Sequence, residues 1–577
     1  MAIIGIDLGT TFSLAAVWQG GKSVLIPNSL GKYHTPSVVS IDEKGNVMVG
    51  EIAKQRLVSH PAYTASLFKQ FMGTIKEFKL GSKVFTAIDL SALILRGLKN
   101  DAESFLGEAV TEAIVSVPAY FNDTQRAATK TAGELSGMIV DRIINEPSAA
   151  ALAYRQKSVR DGLNLVIDFG GGTLDVSILE AFDNIIDIIA IAGDNHLGGS
   201  DIDAAIVAAF LNEHPGLEGH LSDIQRSILL KSAEMCKIAL TERQQAYLVY
   251  KHDNTEYSML LDNDRLTQIC SPMLIKLKDV IKRALQNAEK SMMMIDNVIL
   301  VGGTCRMPLV KGYLRNLLKK QTLSDIDPDF AVAIGTGVAA GIKSRNEDIR
   351  DMVLTDVCPF SLGVEARIRG RDGVFDAIIP RNTTLPASRV HHYTNIFDNQ
   401  KSVQIKIFQG ESFDAKDNLL LAQYEINIPR LPAGEAMFSV RFSYDINGIL
   451  DIEINCVQNN ATVNKLFIGN DRLTKKEISE RLAVLNTLKS SPYEENSNNL
   501  VIARGKRLFE EFSGAVQAEI MSRLVEFESE LERGANPARL ARLRSLLTSF
   551  FDKLDTYSEE LLFYGEAPDE DILTHNE

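Results

Sequence analysis

The sequence predicts a multidomain chain in which an α/β region is followed by an all-β region and then by a helical region. Residues 1–345 alternate short apolar strands with helical segments, which favours an α/β fold. In residues 357–470 apolar side chains recur at every second position, as expected for strands with one buried face. Residues 471–564 return to helical spacing, and the acidic tail 565–577 is predicted to be disordered. The charged and then apolar segment 346–356 is predicted to be an interdomain linker.

Length, charge and cysteine content limit the classes of function. A chain of 577 residues has room for about four domains. The net charge of −14 argues against non-specific nucleic-acid binding and against attraction to an anionic membrane. No apolar run approaches the roughly 20 residues that span a bilayer, and the strand beginning at Ile3 leaves no room for a secretion signal. The five scattered cysteines, without a C-x-x-C pair, predict a cytoplasmic location.

Two segments of the α/β region are variations on one phosphate-binding hairpin. Residues 3–11 and 165–175 each contain an apolar strand, an Asp and a Gly/Thr turn, and a second apolar strand follows. Glycine lets backbone amides approach anionic oxygens, and consecutive amides form an anion-binding nest. Asp7 and Asp168, which close the first strands, can orient water around a divalent cation. Two copies about 160 residues apart predict a nucleotide phosphate chain held between two similar half-domains.

Four shorter segments also carry residues suited to a site. Val115–Phe121 precedes a predicted helix, and Asn145–Ala150 puts the carboxylate of Glu146 at a helix start, where it favours the positive end of the helix. Leu300–Thr304 is a third Gly turn after an apolar strand. Lys69 lies in a segment that is otherwise mostly apolar.

Apolar spacing predicts individual elements. Helices are expected at 91–106, 122–136 and 223–241. In the all-β region, alternating apolar residues on both sides of Asn447-Gly448 are a strong hairpin signal.

In the helical region, apolar residues four positions apart predict one helix that continues to a break at 534–537, followed by a second helix at 538–563. The apolar row comprises Leu508, Phe512, Val516, Ile520 and Leu524.

The motifs together resemble the seventy-kilodalton heat-shock chaperones of the DnaK type. In the α/β region they are GIDLGTT (5–11), VPAYFND (117–123), INEPSAAALAY (144–154), IDFGGGTLDVS (167–177) and VGGTCRMP (301–308). In the β region they are SLGVE (361–365), RNTTLP (381–386) and DNQKSVQIKIFQGE (398–411). The resemblance runs from Ile4 to about Gly469, and more loosely through the helices. Among the branches of the family, the chain is most similar to the short bacterial HscC-like members.

The resemblance implies an actin-like ATPase domain, a β-sandwich peptide-binding domain and an α-helical lid. It also implies ATP or ADP, Mg²⁺ and K⁺ as cofactors. Matched by motif, Asp7, Asp168 and Asp175 would hold a hydrated Mg²⁺, mostly through water. Lys69 would face the γ-phosphate and position the attacking water, so that Lys69, Glu146 and Thr173 join the three aspartates as catalytic residues. The implied nucleotide contacts are Gly9, Thr10, Thr11, Phe12, Gly170, Gly171, Gly172, Glu234, Lys237, Thr241, Gly302, Gly303, Thr304, Arg306 and Asp329.

The resemblance further implies a peptide site and a route between the domains. Val403 and Ile405 would line a central apolar pocket, with further contacts from Val364, Tyr393 and Ile396. The implied coupling residues are Pro118, Arg126, Arg142 and Asp356.

Partners follow from the same resemblance. The chain is expected to be mostly a monomer that binds unfolded or client polypeptides, with a J-domain co-chaperone near Arg142 and Asp356 and a nucleotide exchange factor as further partners. Thr355 interrupts the apolar linker, which predicts weak docking of that linker.

Two other functions use the same hairpins. A small-molecule kinase, such as a sugar kinase, would need an acceptor site and a catalytic base beside the γ-phosphate, and would leave the β region without a role. An actin-like filament protein would have its head-to-tail stacking obstructed by the added β region and helices.

Overall fold

The fold is taken from a computed structural model. It describes residues 2–157, 161–217, 219–252, 255–323, 326–346, 349, 352–446, 448–459, 461–467, 475–490 and 496–564. The tail at 565–577, the boundary at 470–471, Asn447 of the predicted turn and most of the charged half of the linker lie outside those residues.

The first half of the α/β region forms lobe I, built on a sheet with the order β11-β10-β1-β2-β3. Its strands are β1 (Ala2–Leu8), β2 (Phe12–Gln19), β3 (Lys22–Ile26), β4 (Thr35–Pro36), β5 (Val39–Ile41), β6 (Asn46–Val49), β7 (Thr64–Ala65), β8 (Glu77–Leu80), β9 (Lys83–Thr86), β10 (Val110–Val117) and β11 (Ile139–Asn145). Its helices are α1 (Glu51–Ser59), α2 (Ala87–Leu106) and α3 (Asp123–Leu135). Helix α2 begins four residues before the apolar spacing indicated, because Thr86 and Asp89 form a capping box there.

The second half forms lobe II, whose sheet repeats the plan with the order β18-β17-β12-β13-β14. Its strands are β12 (Gly162–Phe169), β13 (Leu174–Phe182), β14 (Ile185–Asp194), β15 (Gln245–His252), β16 (Thr255–Asp262), β17 (Asn297–Val301) and β18 (Thr322–Leu323). Its helices are α5 (Gly199–Glu213), α6 (Asp223–Ala239), α7 (Asn263–Asn287) and α8 (Pro308–Leu318), while α4 (Glu146–Lys157) and α9 (Ala331–Lys343) run between the lobes.

The two crossing helices, α4 and α9, join the lobes through a shared apolar core. They approach so closely that a Cβ on Gly335 would lie 1.7 Å from the carbonyl oxygen of Ala149. A Cβ on Gly5 of β1 would likewise lie 2.1 Å from the backbone of Thr336. Glycine at these crossings therefore sets the distance between the lobes.

The linker adds one more strand to lobe II. β19 (Val353–Thr355) pairs in parallel with β14, so the apolar half of the linker is docked. Thr355, predicted to weaken this docking, instead donates a hydrogen bond from its hydroxyl to Asp187 of β14. The hydroxyl is therefore paired in the docked linker, and weak docking stays a prediction.

The all-β region is a sandwich of two four-stranded antiparallel sheets. Its strands are β20 (Leu362–Ile368), β21 (Arg371–Ile379), β22 (Ala387–Thr394), β23 (Ser402–Gln409), β24 (Leu419–Asn427), β25 (Met437–Tyr444), β26 (Leu450–Cys456) and β27 (Ala461–Phe467). One sheet has the order β21-β20-β23-β24 and the other β22-β25-β26-β27. The predicted hairpin is β25–β26.

The helical region comprises α10 (Lys475–Thr487), β28 (Lys489–Ser490), α11 (Asn496–Glu511), α12 (Gly514–Glu532) and α13 (Pro537–Tyr564), which we call the lid. The single helix predicted through Leu508 and Leu524 is wrong. Helix α11 ends at Glu511 and α12 starts at Gly514, whose φ of 66° lies in the left-handed region and interrupts a continuous right-handed helix. The apolar row survives the break because α11, α12 and α13 pack into one core.

Within the described residues, no helix combines the length and the apolar character needed to cross a bilayer.

Replacing Gly335 by Ala should destabilise the α/β region by about 2 kcal/mol or more, because the new methyl group overlaps a main-chain carbonyl that cannot rotate away. Thermal unfolding followed by circular dichroism measures the change. Gly312→Ala is the control: it lies inside α8 with open space around it, so helix propensity predicts a gain of about 0.5–1 kcal/mol. Equal melting temperatures for the two variants would contradict the close crossing.

Candidate functional site

The two predicted phosphate hairpins face each other across a cleft between the lobes. Hairpin β1–β2 turns at residues 9–11, and hairpin β12–β13 turns at residues 170–173. A Cβ on Gly171 would lie 1.8 Å from Thr11 Oγ1, and one on Gly172 would lie 2.6 Å from Thr10 Cγ2. Glycine is therefore required where the turns touch.

The cleft is open to solvent at its mouth and is lined by residues of both lobes. The structure brings most of the predicted nucleotide residues together there. Predicted residues that line it are Asp7, Gly9, Thr10, Thr11, Phe12, Lys69, Glu146, Asp168, Gly170, Gly171, Thr173, Gly302, Gly303 and Asp329. Residues not singled out from the sequence also line it, namely Leu14, His34, Val301, Pro328 and Val332.

Lys69 is the buried cation of this site. Its Nζ lies 2.8 Å from Glu146 Oε1, and both side chains are almost fully buried. Lys69 also lies 5.6 Å from the centre of the Phe121 ring. Glu146 is the first residue of α4, so its carboxylate lies at the positive end of the helix dipole and beside the ammonium.

The aspartates form a concentration of buried negative charge. Burial, reinforced by Glu146, raises the pKa of Asp7 to about 7, although Lys69 and a hydrogen bond from Ser116 oppose the shift. Burial and the neighbouring carboxylates raise the pKa of Asp168 well above its ordinary value. Burial raises the pKa of Asp175 to about 8, with Glu146 the next contributor. A bound cation would relieve this repulsion.

The donor set fits a hydrated magnesium ion. Asp175 accepts a hydrogen bond from the amide of Tyr120 at 3.1 Å through Oδ1, while its buried Oδ2 has no hydrogen-bond partner. Carboxylate oxygens are the hard ligands that Mg²⁺ prefers, and Mg²⁺ usually keeps several of its waters. No group of three or more His, Cys, Asp or Glu side chains within the described ranges could hold an ion directly. The residues therefore suit an ion held largely through water and phosphate.

The second hairpin is held against the third Gly turn and the start of α5. The amide of Gly170 is used within the turn, donating to Thr173 at 3.0 Å. The Thr304 hydroxyl donates to the Gly170 carbonyl at 2.8 Å and fixes the third Gly turn against the second. Gly198 and Gly199 at the start of α5 lie against Gly171 and Gly172, and sequence reasoning missed both. The doubled glycine before a helix was the signal that could have found them.

The other end of the cleft carries flat and charged groups. Arg306 Nη2 lies 2.8 Å from Asp329 Oδ2 and also contacts Asp327. The His34 ring lies 4.8 Å from that of Phe330, and burial lowers the pKa of His34. This end suits a planar, uncharged group such as a nucleobase. No motif surrounds His34, so no sequence pattern could have indicated it.

The three residues predicted to lie on one helix beside the nucleotide base occupy three different places in the structure. Glu234 Oε1 lies 3.4 Å from Lys54 Nζ on α1, so this pair spans the mouth of the cleft. Lys237 Nζ bonds Asp203 at 2.7 Å and the Gly199 carbonyl at 2.9 Å, beside the phosphate turns. Thr241 lies beyond the end of α6, where its hydroxyl donates to the Ile238 carbonyl at 2.6 Å, and it does not line the cleft.

The predicted peptide residues gather at one end of the sandwich. Val364 and Ile405 are buried, and Val403 and Tyr393 are partly buried against the same core. The Tyr393 hydroxyl donates to Asp376 at 2.6 Å. Ile396 is 40% exposed, in the loop that joins β22 to β23.

A gap opens in the sheet beside these residues. The pairing of β20 with β23 stops at Val364 opposite Ile407, although both strands continue beyond it. Residues 365–368 and 402–406 thus turn unpaired edges toward each other, apart from an ion pair of 2.8 Å between Lys406 and Glu365.

The predicted coupling residues meet where the linker, the crossing helix and lobe I join. Arg126 Nη2 donates to Asn145 Oδ1 at 2.6 Å, and Asn145 Nδ2 donates to Asp356 at 2.7 Å. The Ser148 hydroxyl of α4 donates to the same Asp356 carboxylate at 3.1 Å. Arg142 lies nearby: burial lowers the pKa of its guanidinium, and the charge of Asp356 opposes that shift.

The segment that begins at Pro118 runs from the cleft to the sandwich. At the cleft, the Tyr120 amide donates to Asp175 and the Phe121 ring lies near the Lys69 ammonium. The Phe121 carbonyl accepts a hydrogen bond from Arg126 Nε at 3.0 Å. At its far end, the Asp123 amide donates to Gln409 Oε1 at 3.1 Å and the Asp123 carboxylate accepts from the Tyr444 hydroxyl. One short segment therefore touches both the candidate catalytic groups and the sandwich.

Fold and site define a class: a two-lobed nucleotide-binding protein with phosphate hairpins on both lobes and a docked β-sandwich with helices. Comparison with known families matches residues 3–532 to the family described as Hsp70 protein. The match covers nearly the whole chain, so the chain belongs to the Hsp70 family. Members of this family are chaperones that bind nucleotide and are ATPases.

Docking of the sandwich should weaken as pH rises from about 4 to about 6. Burial raises the pKa of Asp123 from 3.8 to about 6 at the interface, although the Tyr444 hydrogen bond opposes the shift. Because the docked state holds the proton more tightly, deprotonation costs it about 3 kcal/mol relative to the undocked state. Trp18, the chain's one tryptophan, packs against Gly341 near Ile349, and its fluorescence can follow linker docking.

Asp123→Asn should remove this pH dependence, while Asp372→Asn on the exposed β20–β21 hairpin should leave it intact. An unchanged pH profile in Asp123→Asn would show that other groups control docking.

Proposed function

We propose that this protein is an ATP-dependent chaperone that binds extended apolar segments of client polypeptides and uses ATP hydrolysis to switch its affinity. The observation that carries the proposal is the segment at 118–126, which contacts Lys69 and Asp175 at one end and the sandwich at the other. The family assignment supports a chaperone over a small-molecule kinase or a filament protein.

Hydrolysis in this cleft requires positioning and charge neutralisation and no covalent nucleophile. A water oxygen attacks the γ-phosphorus as the bond to the bridging oxygen of the β-phosphate breaks; the proton of the water passes to the transferred phosphate, and ADP and inorganic phosphate leave. Lys69 positions that water and stabilises charge on the γ-phosphate, while Glu146 holds the Lys69 ammonium in place. Mg²⁺, when bound through Asp7, Asp168 and Asp175, would neutralise phosphate charge. The amides and hydroxyls of both hairpins hold the phosphate chain.

The peptide site is proposed in the gap between β20 and β23. An extended chain can bond to unpaired strand edges through its main chain, which is independent of sequence. Val403 and Ile405 would then accept one apolar side chain, with Val364 at the floor. Such a site tolerates many client sequences.

Coupling between the two sites is proposed to follow the 118–126 segment and the Asp356 cluster. In the docked arrangement, Tyr444 and Gln409 hold Asp123, and Asp356 bonds the start of α4 beside Glu146. Peptide binding that pulls the sandwich away would release both contacts and let the catalytic groups rearrange. The sandwich itself makes the Asp123 contact and the linker that leads into it makes the Asp356 contact, so both would bias the same two-state equilibrium.

Other expectations remain predictions. They are a J-domain co-chaperone near Arg142 and Asp356, a nucleotide exchange factor, K⁺, membership of the HscC-like branch, a mostly monomeric state, a cytoplasmic location and the absence of nucleic-acid and membrane partners. The five cysteines are free buried thiols, as a reducing location would permit.

Lys69→Ala should reduce ATP turnover by at least about a hundredfold, since electrostatic groups at the reacting phosphate typically contribute that much or more. ATP binding should persist because the backbone nests and hydroxyls remain. Steady-state phosphate release and equilibrium binding of labelled ATP measure the two effects. Lys79→Ala, on the exposed face of β8, is the control. Normal turnover in Lys69→Ala would overturn the proposed hydrolysis mechanism.

Val403→Phe should abolish stimulation of the ATPase by a short apolar peptide and leave basal turnover largely intact. The larger ring fills the pocket but lies far from the nucleotide cleft. ATPase rates with and without peptide, and fluorescence anisotropy of labelled peptide, test this. Val390→Phe, at a partly exposed position on β22, is the matched control and should still respond. Unchanged peptide affinity in Val403→Phe would refute the pocket.

A further inference from the structure

We propose that the docked lid ties lobe I to lobe II across the mouth of the nucleotide cleft and thereby slows release of ATP. The inference rests on the proposed nucleotide function, and it assigns the lid a second role beside that of covering a peptide.

The walls of the cleft mouth are α1 of lobe I and α6 of lobe II. They are joined by Lys54 and Glu234, whose charged atoms lie 3.4 Å apart. Lys54 Nζ also lies 5.4 Å from the centre of the Phe12 ring, and Phe12 lines the cleft. A nucleotide that leaves through the mouth must separate these two helices.

The lid is anchored firmly to lobe I. Arg481 of α10 forms an ion pair of 2.7 Å with the nearly buried Asp89 carboxylate of α2. Arg96 Nη1 donates to the Leu485 carbonyl at 3.1 Å. Strand β28 pairs with β6, and α11 packs along α1 itself. One wall of the mouth thus carries the lid.

The same helix of the lid reaches lobe II. Lys231 of α6 lies 2.6 Å from Glu511 at the end of α11, and burial lowers the pKa of Lys231 while Glu511 opposes that shift. Helix α13 lies against β15 of lobe II. The lid therefore contacts both walls of the mouth at once.

The lid side of this bridge is rigid. Arg507, buried in the bundle, bonds Glu511 at 2.7 Å and Asp555 of α13 at 2.6 Å. Arg504 adds a second bond to Asp555. Separation of α1 from α6 must therefore break the contact at Lys231 or strain the bundle.

Thermodynamic linkage predicts which nucleotide the bridge between the lid and α6 retains. If ATP favours the docked lid, the docked lid must favour bound ATP by the same factor. If hydrolysis frees the lid, as the proposed switch requires, the contact between α11 and α6 is lost. ADP should then dissociate without breaking that contact. The chain would hold ATP and release ADP.

The experiment measures dissociation of ATP bearing a fluorescent group on its ribose from full-length Lys69→Ala protein, which retains ATP unhydrolysed. Lys231→Ala in this background should speed ATP release on the order of fivefold or more. It should leave ADP release unchanged. Glu511 keeps its bonds to Arg507 in this variant, so the bundle stays intact; thermal unfolding checks this.

Two further variants sharpen the test. Lys231→Arg retains the charge and should keep ATP release slow, and Lys278→Ala on an exposed face of α7 is the control. ATP release at the parental rate in Lys231→Ala, or equal acceleration of ATP and ADP, would overturn the bridge. Failure of the parental protein to bind ATP would instead contradict the proposed function.

Discussion

Buried negative charge balanced by one lysine is the constraint on which the rest of the structure depends. Asp7, Asp168, Asp175 and Glu146 converge from different elements of both lobes, and Lys69 is the one buried ammonium among the described residues that bonds to any of them. Such a cluster is costly without further positive charge, and the cost falls when a cation and a ligand enter. The glycine contacts at the hairpins and at the crossing helices hold the lobes close enough for the cluster to exist. A nucleotide and a cation bound at this cluster would therefore favour closed lobes.

The sandwich interface extends this constraint to a second domain. Asp123, Asn145 and Asp356 are polar groups whose side-chain hydrogen bonds cross between elements, and Asp356 also accepts from the amide of Val357. A polar interface of this kind separates more readily than an apolar core, which suits a contact that must form and break. The docked linker reinforces it, since Thr355 contributes a hydrogen bond where an apolar residue would contribute only packing.

Sequence reasoning predicted the order of the three regions, the paired hairpins and most of the cleft residues, because glycine turns and alternating strands are local signals. His34, Lys54 and Phe330 were missed because their role depends on the way separate loops fold together. The break between α11 and α12 was missed because both helices pack into one core. The apolar spacing therefore continues through Gly514 although the helix does not. Thr241 was included because the family resemblance implied that it lies on one helix with Glu234, although α6 ends before it. Contacts between regions, such as Tyr444 with Asp123, have no local signature at all.

The attachment of the sandwich at two places has a consequence of its own. β19 fixes the chain just before the sandwich to lobe II, and α10 with β28 fixes the chain after it to lobe I. While either attachment holds, the detached partner stays at a high effective concentration and rebinds quickly. Loss of one attachment alone therefore changes little, and the sandwich departs only when both are weakened together. The two attachments together make the docked state insensitive to a brief loss of either one alone.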